Sequence, residues 1–148
     1  MNLIEILDTS KNNEHKSNVF TFLNVEKFMV QKHFDWISLS IKKKFIHGKA
    51  ILRPKGCSNS YQIEIYYSPF LWNEIDKRYD RIYIRKPNVK FNPKIHMYGD
   101  KSLCLYYPND YIGYVPLYKI LFWISEWLIK YEFYKRFGTW IGNEVEHK

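Results

Sequence analysis

A long apolar helix near the C-terminus is the feature that most constrains how this chain can fold. Pro116 favours a helix start, because a proline at the first helical position lacks only an N–H group that would have no partner there. One face of the helix is apolar throughout, with Leu117, Ile120, Leu121, Ile124, Trp127, Leu128 and Tyr131. Further apolar residues, Phe122, Trp123, Ile129 and Phe133, widen this face. We therefore expect other elements to cover the helix on more than one side.

The sequence also predicts how this helix ends. Gly138 indicates its C-terminal stop, since glycine readily takes the left-handed conformation found there. Glu126 and Lys130 are four residues apart and are expected to form an ion pair on the polar stripe. Residues 139–142 contain Trp140 and are apolar enough to dock back on the domain.

A second helix and several strands are predicted upstream. Residues 19–34 carry apolar side chains at helical spacing, and Thr21 or Asn24 is expected to cap this helix. The predicted strands are residues 36–41, 45–52, 61–67 and 81–85. The clearest is 61–67, where apolar and polar residues alternate. Strands flanked by helices indicate an α+β fold, here with a four-stranded antiparallel meander between an N-terminal helix and a long C-terminal helix.

Length and composition exclude several classes of protein. The 148 residues suit a single domain, and 46% hydrophobic residues exclude a disordered chain. Two cysteines are too few for a disulfide framework or a four-thiolate zinc site, and no histidine pair has metal-binding spacing. We therefore expect no metal and no cofactor. The N-terminus does not resemble a secretory signal, and charges interrupt the longest apolar stretch. We expect a cytoplasmic protein with no membrane span.

The net charge of +8 raises the possibility of a nucleic-acid partner. The basic residues are scattered, however, and the densest run is Lys42-Lys43-Lys44. No helix-turn-helix, zinc-finger or RNA-recognition signature accompanies them. A solvated basic face is the simpler interpretation, and a partner with an acidic surface fits the charge equally well.

Cys104 is the candidate for chemistry, in an irregular region between residues 92 and 116 that we interpret as an ordered functional loop. His96 lies eight residues upstream. A cysteine near a histidine can act as a nucleophile, because its thiolate attacks acyl carbons and leaves readily from a thioester. Taken by composition alone, a buried structural cysteine is the more common outcome. Cys57 lies in a polar turn and is assigned no role.

From His47 onward the sequence resembles the ubiquitin-conjugating enzymes. Residues 48–67 resemble that family's strand, tight turn and strand, and residues 81–84 resemble its next strand. Residues 100–105, Asp-Lys-Ser-Leu-Cys-Leu, resemble its Gly-x-Ile-Cys-Leu active-site segment. Residues 114–116 resemble the Trp-x-Pro that precedes its crossing helix.

The resemblance is closer to a bacterial branch found in anti-phage (CBASS) operons beside cyclic-oligonucleotide synthases. Residues 96–108, His-Met-Tyr-Gly-Asp-Lys-Ser-Leu-Cys-Leu-Tyr-Tyr-Pro, resemble that branch's His…Asp-Gly-x-Leu-Cys-Leu-Tyr-x-Pro signature. Residues 127–132 and 138–144 resemble its C-terminal half. The chain is identified as a member of the short, stand-alone type, which lacks a fused activating-enzyme domain.

This resemblance implies one ubiquitin-conjugating-enzyme-like domain over residues 1–148. It implies that Cys104 forms a thioester with the C-terminus of a cGAS-like nucleotidyltransferase and transfers it to a target, which primes anti-phage signalling. His96 occupies the position of the eukaryotic members' Asn and is expected to assist, either as an oxyanion donor or as a base. Tyr106, Tyr107 and Asp100 are expected to contact the substrate. Lys101 stands where the branch has Gly.

Two alternatives remain open at the level of sequence. The first is a catalytically inactive binding module with the same fold. The second is a nucleic-acid-binding protein, which would lose affinity steeply as salt rises.

Overall fold

The predicted α+β architecture is confirmed. The computed structural model describes residues 16–68, 78–106 and 115–142. In chain order the elements are α1 (Lys16–His33), β1 (Ile37–Lys42), β2 (Phe45–Leu52), β3 (Tyr61–Tyr67), β4 (Asp80–Lys86) and α2 (Leu117–Phe137). The four strands form one antiparallel sheet in the order β1-β2-β3-β4. The sheet is therefore a meander, and its strands lie between the two helices in the order of the chain.

The strand register separates an apolar face of the sheet from a polar one. Leu39, Gly48, Ile65 and Ile82 follow one another across the four strands, and all four are buried. A Cβ atom at Gly48 would lie 2.7 Å from Cδ2 of Leu39, so a side chain there would displace its neighbour. Gly48 therefore leaves room for the Leu39 side chain on the apolar face of the sheet.

The long helix α2 buries the face that its sequence predicts. The fully buried residues are Leu117, Ile120, Leu121, Ile124, Trp127 and Leu128. The expectation of cover on more than one side is wrong for Phe122, Ile129 and Phe133, which are 58%, 47% and 37% exposed. The Phe122 ring still contacts that of Phe34, with 5.2 Å between their centroids, whereas Ile129 and Phe133 lie on a side of the helix that the described elements leave exposed.

Two details of the predicted helix starts are wrong. Pro116 is the N-cap in an extended conformation, and Leu117 is the first helical residue. Thr21 and Asn24 lie inside α1 and do not cap it. Gly138 ends α2 as predicted, with a φ of 74° and its N–H donating to the Tyr134 carbonyl at 2.7 Å.

Two predicted contacts of α2 and its tail are present. Lys130 Nζ lies 3.0 Å from Glu126 Oε1. Trp140 is buried, with its ring centroid 5.5 Å from that of Trp127. The tail therefore docks on the domain beside the helix.

Candidate active site

Cys104 lies on a short hairpin that is hydrogen bonded to the edge of the sheet. Met97 and Leu103 form an antiparallel bridge, and the Cys104 N–H donates to the His96 carbonyl at 2.8 Å. The Leu103 N–H donates to the Ile82 carbonyl at 2.9 Å. Because Ile82 belongs to β4, the sheet fixes the position of the hairpin and of Cys104.

A four-residue turn closes the hairpin. The Lys101 N–H donates to the Tyr98 carbonyl at 2.9 Å, and the Tyr98 N–H donates to the Ser102 carbonyl at 2.8 Å. Lys101 has a φ of 71°, in the left-handed region that favours glycine. The turn therefore keeps the geometry that a glycine would adopt, with lysine in its place.

The carboxylate of Asp100 accepts hydrogen bonds within this turn and contacts side chains of the neighbouring segment. Its Oδ1 accepts hydrogen bonds from the Ser102 N–H at 2.9 Å and from the Ser102 hydroxyl at 2.5 Å. Its Oδ2 lies 3.8 Å from Arg78 Nη2, 3.7 Å from Arg81 Nε and 3.2 Å from the Tyr83 hydroxyl. Burial alone would raise the pKa of Asp100, but the Ser102 hydrogen bonds and the Arg78 charge outweigh it and lower that pKa.

The Cys104 thiol is buried, with 3% of the residue exposed. It donates a long hydrogen bond of 3.6 Å to the Tyr106 carbonyl. Burial raises the thiol pKa to about 11, and the negative charge of Asp80 acts in the same direction. A hydrogen bond with Tyr98 and the charge of Arg78 both lower it. The resting site therefore holds a neutral thiol beside groups that favour its ionisation.

His96 is adjacent to Cys104 across the hairpin. Its φ is 60°, and its carbonyl accepts both the Cys104 N–H and the Trp127 indole N–H, the latter at 3.3 Å. Its ring centroid lies 5.7 Å from that of Trp140. The helix α2 thus holds the His96 backbone beside that of Cys104, and the docked tail contacts the His96 ring.

The family of this chain follows from comparison with known proteins. A sequence model of the family described as Type II CBASS E2 protein matches residues 26–148, which include the last part of α1, the four strands, the hairpin and α2. The chain belongs to this family. Searches of curated proteins and of solved structures found no match. Membership gives this CBASS E2 protein a role in conjugation within CBASS.

The structure places two of the three predicted substrate-contacting residues of the CBASS E2 protein. Asp100 has a 42% exposed side chain at the tip of the hairpin. Tyr106 is buried, with its hydroxyl oxygen accepting the Tyr79 N–H at 2.9 Å and its ring 5.5 Å from that of Trp123. Tyr107 lies outside the described residues. The substrate-contacting roles of these residues stay predictions.

Sequence reasoning missed the polar groups around the CBASS E2 thiol. Arg78 is 6% exposed and Asp80 is 1% exposed; Asp80 is the first residue of β4, and Arg78 lies two residues before it. The guanidinium carbon of Arg78 lies 3.7 Å from the centroid of the Tyr98 ring. No local pattern marks these residues, because they meet Cys104 only through the pairing of the hairpin with β4.

The described residues 16–68, 78–106 and 115–142 contain no group of three or more His, Cys, Asp or Glu side chains that could hold a metal ion. Within the same residues no helix has the length and apolar character needed to cross a membrane.

Proposed function

We propose that Cys104 is the acyl carrier of this CBASS E2 protein. The observation that carries the proposal is the position of Cys104 on a hairpin fixed to β4, inside the segment matched by the family. A thiol held by two backbone-paired strands has one defined position for attack, and positioning contributes much of the rate of such a reaction.

The proposed acyl donor is the C-terminus of a cGAS-like nucleotidyltransferase, presented as an activated acyl group such as a thioester. The Cys104 thiol first gives its proton to solvent. The thiolate then attacks the carbonyl carbon, a new C–S bond forms, and the donor's sulfur leaves with the electron pair of the broken C–S bond. In the second step the amine of a target attacks the Cys104 thioester, loses a proton and expels the thiolate. Neither step requires a metal or a nucleotide held by this chain.

His96 is the proposed assistant in both steps. Each step passes through a tetrahedral intermediate whose oxygen carries negative charge, and a ring N–H can donate a hydrogen bond to it. The neutral ring can also accept the proton of an attacking amine. Its attachment beside Cys104 through the shared hairpin supports this proposal.

The test uses a purified nucleotidyltransferase whose C-terminal carboxylate has been converted chemically to a thioester. This supplies the activation directly, so the result does not depend on a separate activating enzyme. We expect the wild-type protein and a Cys57→Ser variant to form an adduct that hydroxylamine or reductant cleaves. Cys104→Ser should form an oxyester that reductant does not cleave. An adduct that still forms with Cys104→Ala would refute the assignment.

A specific observation favours the inactive binding module as the alternative. Cys104 is 3% exposed and its thiol pKa is about 11, which are properties of a structural cysteine. An inactive module would form no adduct with the activated donor, and Cys104→Ala would leave phage defence in cells at the wild-type level. Acyl carriage instead predicts loss of defence with the same variant.

A further inference from the structure

The polar face of the sheet gathers basic side chains that are far apart in the sequence. These are Lys42 of β1, Lys49 of β2, and Arg81 and Arg85 of β4. Among the described strand residues, one carboxylate lies on the same face, that of Glu64. Since cations outnumber this carboxylate, the face attracts anionic partners.

Aromatic rings lie among these cations. The rings of Phe45, Tyr66 and Tyr83 form a row across β2, β3 and β4, with 6.1 Å between the centroids of each adjacent pair. All three residues are half-buried, so part of each side chain reaches the surface. Rings placed among cations are the arrangement on which nucleobases stack while nearby cations neutralise their phosphates.

Two grooves on this face share Arg85 as a lining residue. The smaller has a volume of about 460 Å³ and is lined by Tyr66, Arg81, Tyr83 and Arg85. The larger has a volume of about 860 Å³, and its lining residues include members of all four strands. The larger groove also contains an aromatic ring and a cation, those of Trp36 and Lys49. Each groove therefore combines surfaces for stacking with positive charge.

The Arg85 guanidinium is held in a defined orientation where the grooves adjoin. Its Nε donates to Glu64 Oε1 at 2.8 Å, and its Nη2 lies 2.7 Å from the same oxygen. Its guanidinium carbon lies 4.4 Å from the centroid of the Tyr83 ring. Even so, 51% of the Arg85 side chain is exposed. An exposed guanidinium plane offers a nucleobase a second kind of stacking surface.

We propose that the polar face of the sheet binds a short single strand of RNA. Its bases stack on the Tyr66 and Tyr83 rings and on the Arg85 guanidinium, and Lys49 and Arg81 neutralise its phosphates. The strand is single because the bases of a duplex are stacked on one another and cannot reach these rings.

The larger groove favours RNA over DNA. Its lining includes Ser38 and Gln62, whose side chains both donate and accept hydrogen bonds. The ribose 2′-hydroxyl also donates and accepts, and DNA lacks it. Because the site uses no contact of Cys104 or His96, it is a function beyond the proposed acyl transfer.

Fluorescence anisotropy with a labelled oligouridine of about twelve nucleotides tests the inference on the full chain. We expect the logarithm of the association constant to fall linearly with that of the salt concentration, with a slope of about −2 to −3 for three or four phosphate contacts. An RNA duplex and oligothymidine of the same length should bind about five-fold more weakly or worse. Equal binding of oligothymidine would overturn the assignment to RNA.

Two variants separate the contribution of charge from that of stacking. Lys49→Gln removes one exposed cation, so the slope should become shallower by about 0.7. Tyr66→Leu keeps an apolar side chain but loses the ring, so the affinity should fall about five-fold or more with the slope unchanged. Lys32→Gln and Phe28→Leu make the matched changes on α1, where Phe28 is 64% exposed, and should bind like the wild type.

The inference is overturned if the wild type does not bind oligouridine, or if the α1 variants lose as much affinity as Lys49→Gln and Tyr66→Leu. It is also overturned if Tyr66→Leu folds and binds as tightly as the wild type. Displacement of the RNA by oligoglutamate as effectively as by unlabelled RNA would show that the face recognises charge alone, as an acidic protein segment would require, and would overturn it as well. If Tyr66→Leu fails to fold, the salt slope of Lys49→Gln against that of Lys32→Gln decides.

Discussion

Burial and reactivity oppose each other at Cys104. With a thiol pKa of about 11, only about one molecule in a few thousand carries the thiolate near pH 7.5. A sulfur that is 3% exposed is also protected from adventitious oxidation and alkylation, since both require access and thiolate character. The Cys104 thiol is therefore unreactive in the resting protein. If Cys104 is the acyl carrier proposed above, we expect its partner to reach the sulfur and to favour its charged form.

Replacement of His96 should slow the proposed reaction without unfolding the protein. We expect His96→Ala to slow transfer from the Cys104 thioester to an amine by about 100- to 1,000-fold, which is the usual effect of losing one oxyanion donor. The fold should survive, because the hydrogen bonds from Cys104 and Trp127 go to the His96 backbone carbonyl. Single-turnover kinetics with preformed thioester measures the rate, and thermal unfolding monitors the fold.

His96→Asn is the matched control for this experiment. Asparagine tolerates the left-handed backbone, which His96 adopts with a φ of 60°, and it keeps a side-chain N–H donor. We expect it to recover part of the rate lost in His96→Ala. If His96→Ala transfers at the wild-type rate, His96 serves only to shape the loop.

At the scale of elements, local periodicity predicted nearly all of the fold. The alternation of residues 61–67 reappears as alternating burial in β3, and the apolar face of residues 117–131 is the buried face of α2. Such patterns depend only on neighbours within two turns or two pleats, so they can be recognised without tertiary structure. The sequence did not predict which apolar residues of α2 are exposed, because exposure depends on which other elements pack against the helix.

The polar surroundings of the site could not be predicted in the same way. Cys104 and His96 are eight residues apart, and the motif around them was recognisable in the sequence. Arg78 lies 26 positions before Cys104, and tertiary contacts such as the hydrogen bond from Leu103 to Ile82 bring the two segments together. Strand register, which depends on the whole sheet, determines that contact.

A cluster of charged side chains on the polar face of the sheet allows a test of what holds the strands together. Glu64 of β3 lies 2.7 Å from the ring nitrogen Nε2 of His47 on β2 and 2.7 Å from Arg85 on β4, so one carboxylate joins three strands. The His47 hydrogen bond, followed by that of Arg85, lowers the pKa of Glu64 to about 2. We expect Glu64→Gln to reduce the free energy of unfolding by about 1–2 kcal/mol at pH 7, because charge-assisted hydrogen bonds across the sheet are lost.

The sign of the pH dependence follows from the direction of this shift. A carboxylate with a lowered pKa stabilises the fold above its unfolded value of 4.5, and this stabilisation disappears as the pH falls through the folded value of about 2. Urea unfolding between pH 7 and pH 2 should therefore show the difference between wild type and Glu64→Gln shrinking over that window. Glu126→Gln, in the exposed pair with Lys130, is the control and should cost only about 0.3–0.5 kcal/mol. A difference that stays constant with pH would contradict the role of the Glu64 charge.

At the scale of the whole molecule, charge and exposed apolar surface both favour a protein partner. The chain carries a net charge of +8, and α2 exposes Phe122, Ile129, Phe133 and Phe137. Aromatic side chains are well suited to interface hot spots, and a basic excess speeds encounter with an acidic protein. A flexible C-terminal tail alone would give the donor little orientation at a buried sulfur. We therefore expect the body of the proposed donor to bind to the exposed apolar side of α2.

We accordingly expect a stable complex between this protein and the proposed nucleotidyltransferase donor that does not depend on the thioester. Cys104→Ala should co-elute with the nucleotidyltransferase in size-exclusion chromatography at micromolar concentration, because the variant removes one buried sulfur and leaves the surface intact. A nucleotidyltransferase truncated at its C-terminal tail should still co-elute, since the body supplies the contacts. Raising the salt concentration should slow association more than it speeds dissociation, as expected when charge steers the encounter. If Cys104→Ala elutes alone, the donor is not bound in advance, and orientation at Cys104 must come from a transient encounter with a donor activated elsewhere.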